Sequence, residues 1–203
     1  MTKLSPTFID TNILIYCAHM KNIDVFTWIN ELYEKVYVHI DVLAEVKQNA
    51  TTVEQKINEL HWILFDPTSE HSLDELQYTA YEYFFEKVSI DFANYQNSRA
   101  FKQTVDTGDI SILTSCLTLG INLITSNDTD FQQIIPLNNY RISSSIENEP
   151  DKLIEVHGLF ELGKLLIEKS ICKKRDYFKF LSAVHIKDVQ LNAIKNELNK
   201  LFS

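Results

Sequence analysis

The chain predicts an α/β fold: a three-layer sandwich with a mainly parallel sheet, followed by a C-terminal helical extension. Three observations carry that prediction. Short β-branched or apolar runs alternate with longer segments of helical period, the order that builds parallel sheets with helices on their faces. The first such run, Phe8 to Tyr16, is apolar but interrupted by one carboxylate and one carboxamide, and its start suggests a buried strand that ends near Asp10. Only 4 Gly and 4 Pro occur among 203 residues, so loops are few and elements long.

Taken in order, residues 7–16 read as a strand running into a helix start, with the strand ending near Asp10. A carboxylate there needs a backbone amide, an arginine or a metal ion, because burying a bare charge costs several kcal/mol or more. Asp10, Thr11 and Asn12 offer the side-chain oxygens that favour a helix N-terminus. Residues 24–34 have a helical period, with apolar positions at 25, 26, 28, 29, 32 and 33. Val36 to Ile40 is β-branched and aromatic, hence a strand. Residues 41–49 turn helical with Asp41 as the cap and Glu45 one turn in. Residues 52–64 read as helix until Asp66-Pro67 breaks the pattern.

Residues 72–88 form an aromatic helix whose Tyr78, Tyr81, Tyr83, Phe84 and Phe85 read as core. Residues 91–104 are weakly helical. Gly108-Asp109 opens a helix that Gly120 closes. Residues 121–125 are a short buried strand, Ser126 to Phe131 the polar loop after it. A helix over 129–135 stops at Pro136, and Tyr140 to Ile142 reads as a last strand. Residues 143–150 are polar and end in proline, a linker between a domain at 1–145 and a helical extension at 151–203. In the extension, Leu153, Ile154, Val156, Leu159, Phe160, Leu162, Leu165, Leu166 and Ile167 are read as helical. A second helix runs from about Lys187 to Phe202.

Composition narrows the function classes. No window approaches a membrane span, and the N-terminus lacks an apolar leader core. Three widely separated cysteines fit no metal or redox spacing and read as reduced thiols in a cytoplasm. Six histidines show no ligand spacing and read as structural. Residues 1–150 carry 9 Lys+Arg against 21 Asp+Glu, net −12, and residues 151–203 carry 10 against 7, net +3. A nucleic-acid binder usually shows a basic face. Phosphate handled by so acidic a body must be met by metal ions or by the tail, where Lys173-Lys174-Arg175 is the basic cluster.

The chemistry rests on four acids. Asp10 and Asp128 follow strands, and Glu45 and Asp109 sit near helix starts, so all four are expected at the sheet edge where α/β ligands bind. Each alone has a bland alternative: a helix cap, a solvated helix face, a helix N-terminal charge or a turn residue. Together they would repel and raise one another's pKa unless a cation joined them. Hard carboxylate and carboxamide oxygens suit Mg²⁺ or Mn²⁺. Such ions can bridge phosphate and acidify water.

These residues resemble a known family. Ile9-Asp10-Thr11-Asn12, the Val38 to Glu45 strand-to-helix step, Gly108 to Leu113, and Leu123 to Phe131 are similar, in order and spacing, to the PIN domain. That family is a metal-dependent ribonuclease fold found in bacterial toxins and RNA-processing enzymes. The resemblance covers roughly residues 6–142. It implies that Asp10, Glu45, Asp109 and Asp128 are the metal ligands and catalytic acids. Asn12 would support the first ligand and Ser126 would orient the site. Asp106, one turn before Asp109, could substitute for it. Of Asp128 and Asp130, one would bind metal and the other cap the helix.

The implied activity is Mg²⁺- or Mn²⁺-dependent endonucleolytic hydrolysis of RNA, leaving a 5′-phosphate and a 3′-hydroxyl. No nucleotide cofactor is expected. One alternative is an inactive PIN-like module that binds RNA or a protein. Another is an Asp-nucleophile phosphatase, disfavoured because Asn12 stands where that chemistry wants a second Asp. Residues 151–203, amphipathic and of reversed charge, are expected to mediate self-association or partner docking.

Overall fold

The computed structural model describes residues 2–99, 107–143, 149–184 and 186–203. Asp106 lies outside the described residues, as do residues 100–104 of the weakly helical stretch, 144–148 of the linker and His185.

The centre is β1 (Thr7–Ile9), all three residues of which are buried. Successive strand side chains point to opposite faces, so both faces of β1 must be covered. It pairs in parallel with β2 (Val36–His39), with Phe8 opposite Tyr37. On its other side it pairs in parallel with β4 (Leu123–Thr125), with Ile9 opposite Thr125. β3 (Ile63–Phe65) extends the sheet beyond β2, and β7 (Glu155–His157) extends it beyond β4. The five-stranded sheet is therefore wholly parallel in the order β3-β2-β1-β4-β7. From β1 the chain builds first to one side, through β2 and β3, and later to the other, through β4 and β7. The boundary between β1 and β4 is thus the switch point, where parallel sheets open a crevice beyond their carboxyl ends.

Helices complete an α/β three-layer sandwich. α1 (Thr11–His19), α2 (Val25–Leu32) and α4 (Ala50–Glu59) follow the first strands. α3 (Ile40–Glu45) leaves β2 directly. α6 (Thr107–Leu119) packs on β1, β2 and β4, and α5 (Glu75–Asn97) packs on α6. Every residue of α6 from Gly108 to Cys116 is buried. Of its buried hydroxyls, Ser115 Oγ donates to Ser111 O at 2.7 Å, whereas Thr114 Oγ1 has no hydrogen-bond partner among the described residues.

Four elements differ from the sequence expectation. α3 is capped by His39, not Asp41, and ends at Glu45. His39 Nδ1 accepts the Asp41 amide at 3.1 Å, while Asp41 Oδ2 accepts from Ser111 Oγ at 2.6 Å. Residues 52–64 are a helix and then a strand. His61 takes a left-handed φ of 53° and the Trp62 amide closes onto Ile57 O at 2.9 Å, ending α4 before β3. A four-residue apolar run is too short for its period to distinguish strand from helix. Residues 75–97 are one helix, started by an Asp74/Gln77 capping box, because no Gly or Pro interrupts it.

The fourth difference is the C-terminal segment. β5 (Arg141–Ile142) pairs in antiparallel fashion with β6 (Lys152–Leu153), outside the main sheet. Residues 153–157, read as helical, instead complete β6 and form β7, the parallel partner of β4. α8 (Leu159–Glu168) then packs on β7 and α2, and α9 (Lys174–Ala183) and α10 (Asp188–Leu201) pack on α8. Leu159, Leu162, Leu166, Tyr177, Phe180 and Leu198 join one core with Phe8 and Ile9. The apolar pattern read as a docking face is in large part spent on that core. No helix among the described residues is long and apolar enough to cross a membrane.

Candidate active site

Asp10 follows β1 and caps α1. Its Oδ1 accepts the Thr11 amide at 2.6 Å, and its backbone amide donates to Thr125 O at 3.0 Å, locking it beside β4. Its Oδ2 accepts from Ser126 Oγ at 2.6 Å and from Asn12 Nδ2. The residue is 4% exposed. A strand-to-helix junction makes this arrangement local: the cap position needs a side-chain oxygen, and the strand before it is already buried. Asn12 Oδ1 in turn accepts the Asn127 amide at 3.1 Å. Asn12 therefore clasps the start of α1 to the loop after β4. Ser126 Oγ also accepts the Asp128 amide at 2.9 Å, so one hydroxyl ties two of the predicted acids together.

Glu45 sits at the end of α3, not in a first turn, and is gripped from two other elements. Thr11 Oγ1 donates to Oε2 at 2.8 Å and the Gly108 amide to Oε1 at 2.9 Å. A Cβ at Gly108 would stand 2.8 Å from both carboxylate oxygens, so only glycine allows that approach. Asp109, one residue on, is 7% exposed in the first turn of α6, where a helix dipole favours negative charge.

Asp128 and Asp130 separate into two roles. Asp128 caps α7 (Thr129–Asn138), its Oδ1 accepting the Asp130 amide at 2.8 Å. It also lines the cleft. Asp130, 2% exposed, accepts from Arg99 Nη1 at 2.5 Å and does not line it. The guanidinium, stacked 5.1 Å over the Tyr95 ring, has its pKa raised by that carboxylate.

The cleft measures about 420 Å³ and opens at the switch point. Asp10, Thr11, Asn12 and Ile15 line it from α1, Glu45 and Lys47 from the exit of α3, Asp109 from α6, and Asp128 from the loop after β4. The four predicted acids thus come from four separate stretches of chain to one opening. Asn12 and Ser126 stand behind Asp10, and Asp130 stands aside with Arg99.

Sequence reasoning missed Lys47 and Tyr16. Lys47 is exposed at the cleft and makes no ion pair with any described residue. Tyr16 lies four residues after Asn12, on the same helix face, and that spacing was the available signal. Burial raises its phenol pKa, a hydrogen bond with Asn127 partly offsets this, and the charges of Asp10 and Asp128 raise it further.

The donor set has the chemistry of a hard-cation site: carboxylates and a carboxamide, no thiol or imidazole. Among the described residues, however, no three His, Cys, Asp or Glu side chains form a ready-made ligand group. The oxygens of Asp10 and Glu45, and Asp128 Oδ1, are instead held by hydrogen bonds.

A parallel α/β sandwich with an acid-lined cleft at its switch point defines the class. A family model described as PIN domain matches residues 7–135, and this chain belongs to that family. Its members are generally nucleases and generally use divalent metal ions. No curated protein and no solved structure matches the chain.

Proposed function

We propose that this PIN domain is a divalent-metal-dependent endoribonuclease. The observation that carries the proposal is the meeting of Asp10, Glu45, Asp109 and Asp128 in one cleft at the switch point. Those four side chains would hold Mg²⁺ or Mn²⁺. When bound, such a cation supplies positive charge against the phosphodiester and acidifies water.

The protein's own residues do the rest. Ser126 and Asn12 orient Asp10 through its Oδ2. Thr11 and the Gly108 amide fix the Glu45 carboxylate. Lys47 stands where it can meet a phosphate at the mouth of an otherwise acidic opening. None of these needs to act as a nucleophile.

Purified protein is expected to cut single-stranded RNA with Mn²⁺ present and to stop in EDTA. Cleavage that persists unchanged in chelator rules the metal role out. Asp10→Asn is expected to lower cleavage on the order of 100-fold or more while the protein still binds RNA.

A second reading has one observation in its favour, the lack of a ready-made ligand group among the described residues. On that reading the domain binds RNA or a protein without cutting. It predicts no Mn²⁺-dependent cleavage by the native chain and an Asp10→Asn protein that binds as the native one does.

A further inference from the structure

Leu76, Tyr83 and Ile90 are 79%, 63% and 53% exposed, and all three lie on α5. Seven residues fall about 20° short of two full helical turns, so the three side chains form one line roughly 21 Å long. The opposite face of the helix carries the buried Tyr81, Val88 and Phe92, roughly 140–160° around the axis from the line. Tyr83, read as core from the sequence, thus lies on the solvent side; Tyr78 is exposed as well, Phe84 and Phe85 are half-buried, and of the five aromatics only Tyr81 is buried. The exposed stripe is a second apolar line, a seam with one residue per heptad, the spacing of one of the two positions that paired helices bury.

The seam has a charged border. Glu75 and Glu82 each precede a seam residue, and Glu86 lies four after Glu82, so all three share one flank. The opposite flank carries Lys87, already held by Asp91 at 2.8 Å and lying 4.5 Å from the Tyr140 ring centroid. A nucleic-acid backbone would meet three carboxylates there. A second copy of this chain would bring a net charge of −9. Antiparallel pairing would set one glutamate row against the other, and parallel pairing would have to compete for Lys87.

We propose that this seam docks an amphipathic helix of another protein, one with apolar residues every seven positions and Lys or Arg facing Glu75, Glu82 and Glu86. The proposal is independent of what the cleft does.

The test uses the full chain and two synthetic amphipathic peptides of about three heptads, identical in their leucine seam. One is flanked by lysines and the other by glutamates. Binding is read by fluorescence anisotropy and self-association by sedimentation. The lysine-flanked peptide is expected to bind, more weakly as salt rises, and the glutamate-flanked one not to. Tyr83→Asp is expected to weaken binding about tenfold or more. The triple change E75K/E82K/E86K is expected to reverse the peptide preference. Equal binding of both peptides, no binding of either, or an affinity indifferent to Tyr83→Asp overturns the proposal. So does a native dimer that Tyr83→Asp dissolves, which would make the second copy the occupant. Circular dichroism of each variant checks that these exposed positions leave the fold intact.

Discussion

Gly108 shows how one missing methyl group positions a carboxylate. Gly108→Ala would gain about 1 kcal/mol of helix propensity, but its Cβ would have to push the Glu45 oxygens aside. The displaced atoms are the far end of a flexible side chain, so the fold can yield cheaply. We expect little change in thermal stability together with a loss of cleavage approaching about 100-fold, the scale of a misplacement near 1 Å. Comparing melting temperature with turnover separates the two effects. Equal activity in the variant would mean that the position of Glu45 does not matter. Lys47 makes a contrasting case. Lys47→Ala is expected to raise KM for RNA with kcat nearly unchanged, and to reduce the salt dependence of binding by about one phosphate contact. Affinity measured across a salt series reads this, and Lys47→Arg should restore it. A salt slope identical to that of the native protein counts against phosphate contact.

Among the elements, β7 has the widest consequences. It covers the outer edge of β4, with Thr125 opposite His157, and leads into the helices that place Leu159, Leu162, Leu166, Tyr177, Phe180 and Leu181 in the core. Each such side chain contributes about 1.5–3 kcal/mol when buried. Together they are comparable to the 5–15 kcal/mol that typically holds a whole domain. A chain ending at Asn148 is therefore expected to lose its cooperative thermal transition, as circular dichroism would show. A soluble truncated protein with a sharp melt would instead support two independent units, at 1–145 and 151–203. The helices α2, α6 and α10 were legible in the sequence because each is long enough for a period or a terminal signal to be read. β3 and β7 were not, because each continues an apolar run that also fits a helix, over 52–64 and 153–167, and takes its identity from the strand it pairs with.

For the molecule as a whole, acid should be the destabilising condition. Burial lowers the pKa of His157, 2.8 Å from Tyr33 Oη, to about 4. An unfolded chain protonates this imidazole near its ordinary value of about 6.5, whereas the folded chain resists until about 4. The stability it lends is complete above pH 6.5 and is lost as pH falls through that window, by about 3 kcal/mol at most. Burial lowers His39 as well, against the opposing charges of Asp41 and Asp66, so its contribution has the same sign. Urea unfolding at pH 7.5 and 4.5 is expected to show a steeper loss for the native chain than for His157→Gln. Equal losses would remove His157 from the account. On the proposed metal role, Mg²⁺ bound by the cleft of the folded chain alone is expected to raise the melting temperature, and an unchanged melt would count against that role.

Asp10 and Asn12 could be placed at a helix start from the chain alone because strand-to-helix junctions are local, whereas the roles of Asn12 and Ser126 beside Asp10 were implied only by the family resemblance. A buried run, a capping oxygen and a turn lie within a few residues of one another. The same locality marked Gly108-Asp109 and the loop holding Asp128. Only the folded molecule decided that Asp128 lines the cleft while Asp130 pairs with Arg99, because that choice depends on a side chain 31 residues away. It also decided that Glu45 is gripped by Thr11 and Gly108, and that residues 155–157 form a strand. Polar chemistry at an element's end is written in neighbouring residues. Which ends share one opening is set by strand pairing and packing between segments far apart in the chain, a dependence that no local pattern encodes.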